Sequence, residues 1–326
     1  MFLSMSFRLR VEVEALNMVE AMGAYTRHRT VSILKPRGEG KGYRLVIAPA
    51  VSGQAVAYGY MKSLVELAQR KGLPVCDQCR SYEAKGGFVK HGTDTTGELE
   101  KLLKDCIVED VTGFMVAEAK IRRTSPIQFS YMVPDIDSSD VAIEPQFHVR
   151  AAKPGEKPQP FQVEAGTAIY VLGVALDIDK IGTVPGDDGK PRVIVNDRVD
   201  RVKTAIQAIA NLLEGLSFGA KKARYLPIYE VVGAMAALSH PVPFIVSPAR
   251  LSKDGNYIDK TVTRATTYVK LFSDVKEYIK LFYMDKEGVV ATEVRAEGIE
   301  VEKVNSVSDL IARIIEVVKG KLGRQS

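Results

Sequence analysis

Hydrophobic and polar positions alternate over residues 5–15. Phe7, Leu9, Val11 and Val13 fall on one side, Arg8, Arg10, Glu12 and Glu14 on the other, which is the period-two pattern of a strand with one apolar face. Asn17 ends the alternation. The next stretch, MVEAMGAYTRHRTV, has no clean period and reads as a loop or irregular insertion. Gly38, Gly40 and Gly42 mark a turn before a second strand, Tyr43 to Ala48, expected to pair hairpin-like with the first. Pro49 stops that strand. Ser52-Gly53-Gln54 opens a helix with Ser52 as N-cap. It runs to about Lys71 with Ala57, Met61, Leu64, Val65 and Ala68 on one face, and Gly72 and Pro74 end it.

Residues 75–105 are polar, with a helical stretch near Glu98 to Leu103. From Cys106 to Arg150, short apolar pieces alternate with charged or Pro-containing breaks, as strands and a projecting loop would. A Pro-rich loop (153–160) precedes an apolar strand, Ala168 to Ile178, expected to be central. Arg198 to Leu216 is an amphipathic helix with Val199, Val202, Ile206, Ile209, Leu212 and Leu213 inward. Ser217 to Leu226 is a Gly-containing basic loop. A helix near Asp274 to Tyr283, a strand near Val289 to Val294 and a helix from Asp309 to Leu322 close the chain. This irregular alternation fits an α+β fold better than a regular doubly wound sheet.

Composition narrows the class. The 326 residues are 46% hydrophobic and 26% charged, which excludes wholesale disorder. No apolar run reaches the roughly 18 residues of a membrane span, the N-terminus lacks an apolar signal core, and three Cys do not make a disulfide framework. The expected compartment is the cytoplasm. The net charge of +5 is too mild to speak alone, so its distribution decides. Residues 1–44 carry eight Lys/Arg against four Asp/Glu. Three basic clusters fall in loops or strand ends: TRHRT (Arg27, His28, Arg29), AKIRRTS (Lys120, Arg122, Arg123) and FGAKKARY (Lys221, Lys222, Arg224). Cationic side chains and free backbone N–H groups in loops suit phosphate. The start of the helix at Ser52-Gly53-Gln54 could also receive an anion, although N-capping alone accounts for it.

Other features point less far. Cys76, Cys79, His91 and Cys106 offer four soft ligands for tetrahedral zinc, but the second pair breaks the usual spacing, and no metal or cofactor is assigned. Asp135, Asp137, Asp140 and Glu144 form an acidic run that reads as a solvated turn. His148 alternates with Phe147 and Val149, so it would lie on an exposed sheet surface. The common hydrolase signatures are absent.

Taken in order, RLRVEVEALN, TRHRT, APAVSGQAVAYGYMKSLVELA, LPVC, GFMVAEAKIRRTSPIQFSYMVP, EPQFHVR and SFGAKKARYLP resemble the backbone subunit of archaeal type I-A CRISPR Cascade, the DevR-like "Cas seven" family. The motifs span residues 7–226. The resemblance implies one domain over 1–326: a modified RNA-recognition-motif core, a ferredoxin-like antiparallel sheet with large insertions. These would be a helical and polar insertion at 75–105 and a thumb-like hairpin within 107–165, with a C-terminal helix at 306–322. It implies no catalysis and no cofactor. The partners would be CRISPR RNA, target DNA through the guide, further copies in a helical filament, other Cascade subunits and a helicase–nuclease, with no membrane. Carried over by position, Asn17, Arg27, His28 and Arg29 would contact RNA, and Ser52, Gly53 and Gln54 would bind phosphate. Arg122 and Arg123 would belong to the thumb, His148 to the RNA-facing surface, and Lys221, Lys222 and Arg224 to the basic loop. Two alternatives remain: a metal-dependent endoribonuclease using Asp135 or Asp137, and a zinc-stabilised regulatory protein.

Overall fold

A computed structural model describes residues 1–38, 40–90, 98–151, 154–155 and 157–323. β1 (Phe2–Glu14) is the central strand. Leu3, Met5, Phe7, Leu9 and Val11 are all but inaccessible to solvent. The opposite side is covered as well: Ser4, Ser6 and Arg8 are buried. A register slip between Val11 and Glu14 then reverses the pattern, so Val13 (φ +54°) points outward and Glu14 inward.

The stretch expected to be a loop folds instead as β2 (Met18–Met22) and β3 (Tyr25–His28), a hairpin, followed by β4 (Thr30–Pro36). β5 (Tyr43–Pro49) pairs with β4, not with β1. These strands are held by backbone ladders and bury little, so they leave no apolar period in the sequence.

α1 (Gly53–Arg70) is capped by the Ser52 hydroxyl, which accepts from the Ala55 N–H at 3.2 Å. Its buried face holds Val56, Tyr60, Leu64, Val65 and Ala68; Leu64, Val65 and Ala68 are where they were expected, and in the first turns Val56 and Tyr60 take the places expected for Ala57 and Met61. Short helices α2 (Asp77–Arg80), α3 (Leu99–Asp105) and α4 (Ile107–Thr112) follow. β6 (Phe114–Val116) and β7 (Ile121–Arg123) make a small hairpin. β8 (Ile127–Phe129), β9 (Val133–Pro134) and β10 (Ala142–Arg150) all pair antiparallel with the long β11 (Gln159–Asp177). After the hairpin β12 (Thr183–Pro185) and β13 (Pro191–Val193) come α5 (Arg198–Glu214) and β14 (Ile228–His240). Val199 of α5 is exposed, against expectation.

α6 (Tyr257–Leu271) falls where no element was expected, and β15 (Tyr278–Asp285) stands where a helix was expected. The β-branched residues of α6 hide its helical character. The run from Ile279 to Met284 is buried on both faces, and such a run has no period to separate strand from helix. Residues 289–294 are irregular, not a strand. β16 (Glu300–Lys303) and α7 (Val307–Leu322) end the fold.

The core elements connect as β1–α1–β8/β9–β11–α5–β14, with strand order β14-β1-β11-β8/β9 and β15, β16 extending the β14 edge. α1, α5 and α7 lie side by side over one face, α5 in the middle. α6 and the segment Phe244–Ala249 cover the other face. Ser4 and Ser6 tie that segment down: the Ser4 hydroxyl donates to Phe244 O at 2.8 Å and accepts from Val246 N, and Ser6 accepts from Ala249 N at 2.8 Å. The sheet is thus buried on both faces along β1 and β14.

Candidate nucleic-acid interface

At one end of β11 the expected residues gather. Asn17 closes β1 and uses its side chain on the backbone: its Oδ1 accepts from Ser52 N at 2.8 Å, at the mouth of α1. Its carbonyl accepts from Arg29 N at 2.8 Å, and the Arg29 carbonyl accepts from Ala50 N at 2.9 Å. Asn17, Arg29 and Ser52 therefore form one bonded unit. The Arg29 Nε is buried and has no hydrogen-bond partner among the described residues. Ser52 is buried, Gly53 half-buried and Gln54 exposed. A Cβ at Gly53 would stand 2.8 Å from Phe129 O, so this glycine lets α1 pack on β8.

The 217–226 loop joins the same end. Ala220 N donates to Leu16 O at 2.8 Å, and Gly219 (φ +85°) presses on Leu16, where a Cβ would lie 2.5 Å from a methyl. Lys221 and Arg224 are exposed. Together with Arg150 and the ring of Phe161 they line a groove of about 410 Å³ against the β2–β3 turn at Gly23 and Ala24. A second recess of about 280 Å³ shares Arg150, Phe161 and Arg224 and adds His148. Among the described residues, neither is lined by an acidic one. Arg150 was not singled out from sequence, because the last residue of a strand carries no motif. Lys222 turns away: its Nζ donates to Leu216 O at 2.5 Å, and burial, with the Lys62 charge, pulls its pKa below the usual value.

Three expected contacts need correction. His28 is buried, its Nε2 2.6 Å from the Glu14 carboxylate and its Nδ1 2.7 Å from Arg29 O, so the imidazole supports the site from within. His148 is half-buried, stacked on Phe161 at 5.0 Å and bonded to the Tyr225 hydroxyl, and reaches only the wall of the smaller recess; it is Phe147 and Val149 that are exposed, the reverse of the expected facing. Arg123 is locked beneath the surface against Asp110, Thr183 O and Lys180 O, and only Arg122 is exposed. This pair lies by Asp177, at the opposite end of β11, some sixteen residues from Phe161 and so roughly 50 Å along the strand. Asp135 is not a solvated acid either. It is fully buried, paired with Arg8 and accepting from Leu251 N at 3.0 Å, whereas Asp137 is exposed. His91 lies outside the described residues. No helix among the described residues is long and apolar enough to cross a membrane.

Fold and site together define a mixed α+β protein with a two-faced core and a basic groove at one end of its longest strand. Two solved chains share the fold, both named as parts of a CRISPR RNA-guided surveillance complex. One superposes with a TM-score of 0.51 at 14% identity, covering 98% of this chain and all of that one; the other, in a pre-nicking state, scores 0.50 at 12% identity. The family model described as "CRISPR-associated negative auto-regulator DevR/Csa2" matches residues 5–262. The aCascade subunit Cas7/Csa2 2 of Saccharolobus solfataricus is 33% identical over 96% of this chain and 99% of its own length. A Cas7/Cst2/DevR protein of Methanocaldococcus jannaschii is 23% identical over 97% of this chain. The chain belongs to the DevR/Csa2 family, a Cas7 family of CRISPR-associated proteins.

Proposed function

We propose that this chain is a non-catalytic backbone subunit of an archaeal type I-A Cascade, binding CRISPR RNA through its phosphates and presenting the spacer to target DNA. The observation that carries this reading is the groove lined by Arg150, Lys221 and Arg224, with no acidic residue among the described residues that line it. Cations in loops hold phosphate without reading bases, as a subunit that accepts any spacer requires. The connectivity of the core favours a modified RNA-recognition motif whose usual binding face is closed by Phe244–Ala249, which moves binding to the end of the sheet. The β10–β11 hairpin would be the thumb: Phe147 and Val149 are 74% and 68% exposed on it, apolar surface suited to a neighbouring copy. The same reading takes other Cascade subunits and a helicase–nuclease as partners, in the cytoplasm. Of the two acids the endoribonuclease alternative could use, Asp135 has its carboxylate committed to Arg8, which leaves the exposed Asp137 as its candidate.

The test is co-expression with a CRISPR array, followed by purification at low salt and extraction of bound nucleic acid. Discrete RNase-sensitive bands on oligomeric protein are expected. Protein that stays monomeric and binds no added RNA would overturn the reading.

A further inference from the structure

The CxxC that the RNA-binding reading leaves unused lies against the core, far in character from the basic groove. Cys76 precedes α2 as its N-cap, and its sulfur accepts from Cys79 N at 3.4 Å. Cys106 sits at the junction of α3 and α4, and Glu109 one turn further on. Cys79, Cys106 and Glu109 are inaccessible to solvent, and Cys76 is half-buried. One ligand atom from each of the four lies within 4.8 Å of all the others. The Glu109 Oε1 is 3.6 Å from Cys76 Sγ and 3.9 Å from Cys79 Sγ.

We propose that Cys76, Cys79, Cys106 and Glu109 hold a structural zinc ion. With Zn–S of about 2.3 Å and Zn–O of about 2.0 Å, tetrahedral angles put sulfur and oxygen about 3.5 Å apart and two sulfurs about 3.8 Å apart. The S···O distances of 3.6 and 3.9 Å are at or slightly beyond that spacing, so a small inward shift of the ligands would close the site around an ion. The N–H of Cys79 aimed at Cys76 Sγ is the kind of outer contact that fixes a thiolate ligand. Three thiolates and a carboxylate leave a zinc site with two excess negative charges. Lys90 is close enough to feel Cys79, Cys106 and Glu109, and its ammonium is anchored on the Thr112 carbonyl at 3.2 Å and on that of Gly113. Four protein ligands and deep burial leave no open position, so the ion would be structural and not catalytic. It would staple the Pro74–Arg80 segment to the α3–α4 junction, to which it is already tied by the backbone bond Ile107 N to Pro74 O, 2.9 Å. The sequence suggested zinc with His91 as fourth ligand; among the described residues the fourth group is Glu109.

The inference is independent of RNA binding and is tested without it. Full-length protein, dialysed against metal-free buffer and analysed by mass spectrometry, should carry one zinc per chain. Exchange with cobalt should give the intense visible d–d bands of a tetrahedral ion and near-ultraviolet thiolate-to-cobalt charge transfer, a readout on the unaltered chain that does not depend on any variant folding. Glu109→Gln should keep the charge-transfer band but weaken zinc at least about tenfold, since losing even an outer contact costs that much. Folded protein that takes up no zinc, cobalt spectra without the thiolate band, or undiminished zinc in a folded Cys79→Ser/Cys106→Ser variant would each overturn the assignment.

Discussion

At the scale of residues, the buried ion pairs carry the sharpest expectations. Burial opposes a charge on His28, but the hydrogen bond and charge of Glu14, the Arg29 carbonyl and the Glu164 charge outweigh it, so the pKa of His28 is raised above 6.5. A raised folded-state pKa contributes stability in full below the unfolded value, and that contribution fades as pH climbs through the folded value. The pair should therefore stabilise the fold most at and below about pH 6.5. Glu14 also accepts from the Tyr170 hydroxyl at 2.7 Å, so Glu14→Gln should cost about 3–5 kcal/mol at low pH and flatten the decline above it. Urea midpoints measured across the neutral range decide: parallel curves for the two proteins would mean that His28 does not titrate against Glu14. Asp135→Ala should likewise cost about 3–5 kcal/mol, since it removes the buried carboxylate that pairs with Arg8 and leaves only the partly exposed Glu287 to balance that charge, while the exposed Asp137→Ala should stay within about 0.5 kcal/mol. Bound RNA incubated with magnesium should remain intact with the native protein and with Asp137→Ala alike. Cleavage abolished by Asp137→Ala would restore the nuclease reading.

At the scale of elements, exposure separates what holds the molecule together from what it offers to others. Phe147 and Val149 alternate on the outer side of β10, and their ring and methyls contribute little to the folded monomer. The double variant Phe147→Ser/Val149→Ser should leave thermal stability within about 0.5 kcal/mol and shift assembled protein toward monomer on size exclusion. Unchanged assembly would remove the hairpin from the interface. The same elements show what the sequence could disclose. α1, α5 and α7 were legible because each buries one face, and β1 because its two buried faces differ in chemistry, apolar on one side and Ser4, Ser6 and Arg8 on the other, so each imprints a period. β15 is buried on both faces and α6 is rich in β-branched residues, so neither did. In the site, charge was legible and direction was not. Lys221 and Arg224 stand at the groove as their composition suggested. His28 and Arg123 were drawn inward by Glu14 and Asp110, whose burial depends on a strand bulge and on a distant helix.

At the scale of the whole molecule, the distribution of charge matters more than its sum. The chain carries only +5, and much of its positive charge is neutralised in pairs such as Arg8–Asp135 and Arg201–Asp110. Those internal pairs release no counterions when RNA binds. The slope of binding affinity against salt therefore counts the cations of the groove, not the net charge. Each phosphate contact on a single strand contributes about 0.7 to that slope, so replacing Arg150, Lys221 and Arg224 by Ala should lower it by about 2, equally for every RNA sequence. Arg122 is just as exposed and just as cationic, but it lies at the far end of β11. On one protein holding one stretch of RNA at the groove, Arg122→Ala should leave the slope unchanged. Binding isotherms from low to moderate salt test both at once. If Arg122→Ala flattens the slope while the triple variant does not, the RNA path runs along the opposite end of the sheet. If the triple variant loses affinity for some sequences only, the groove reads bases, and a guide scaffold indifferent to its spacer would not be built that way.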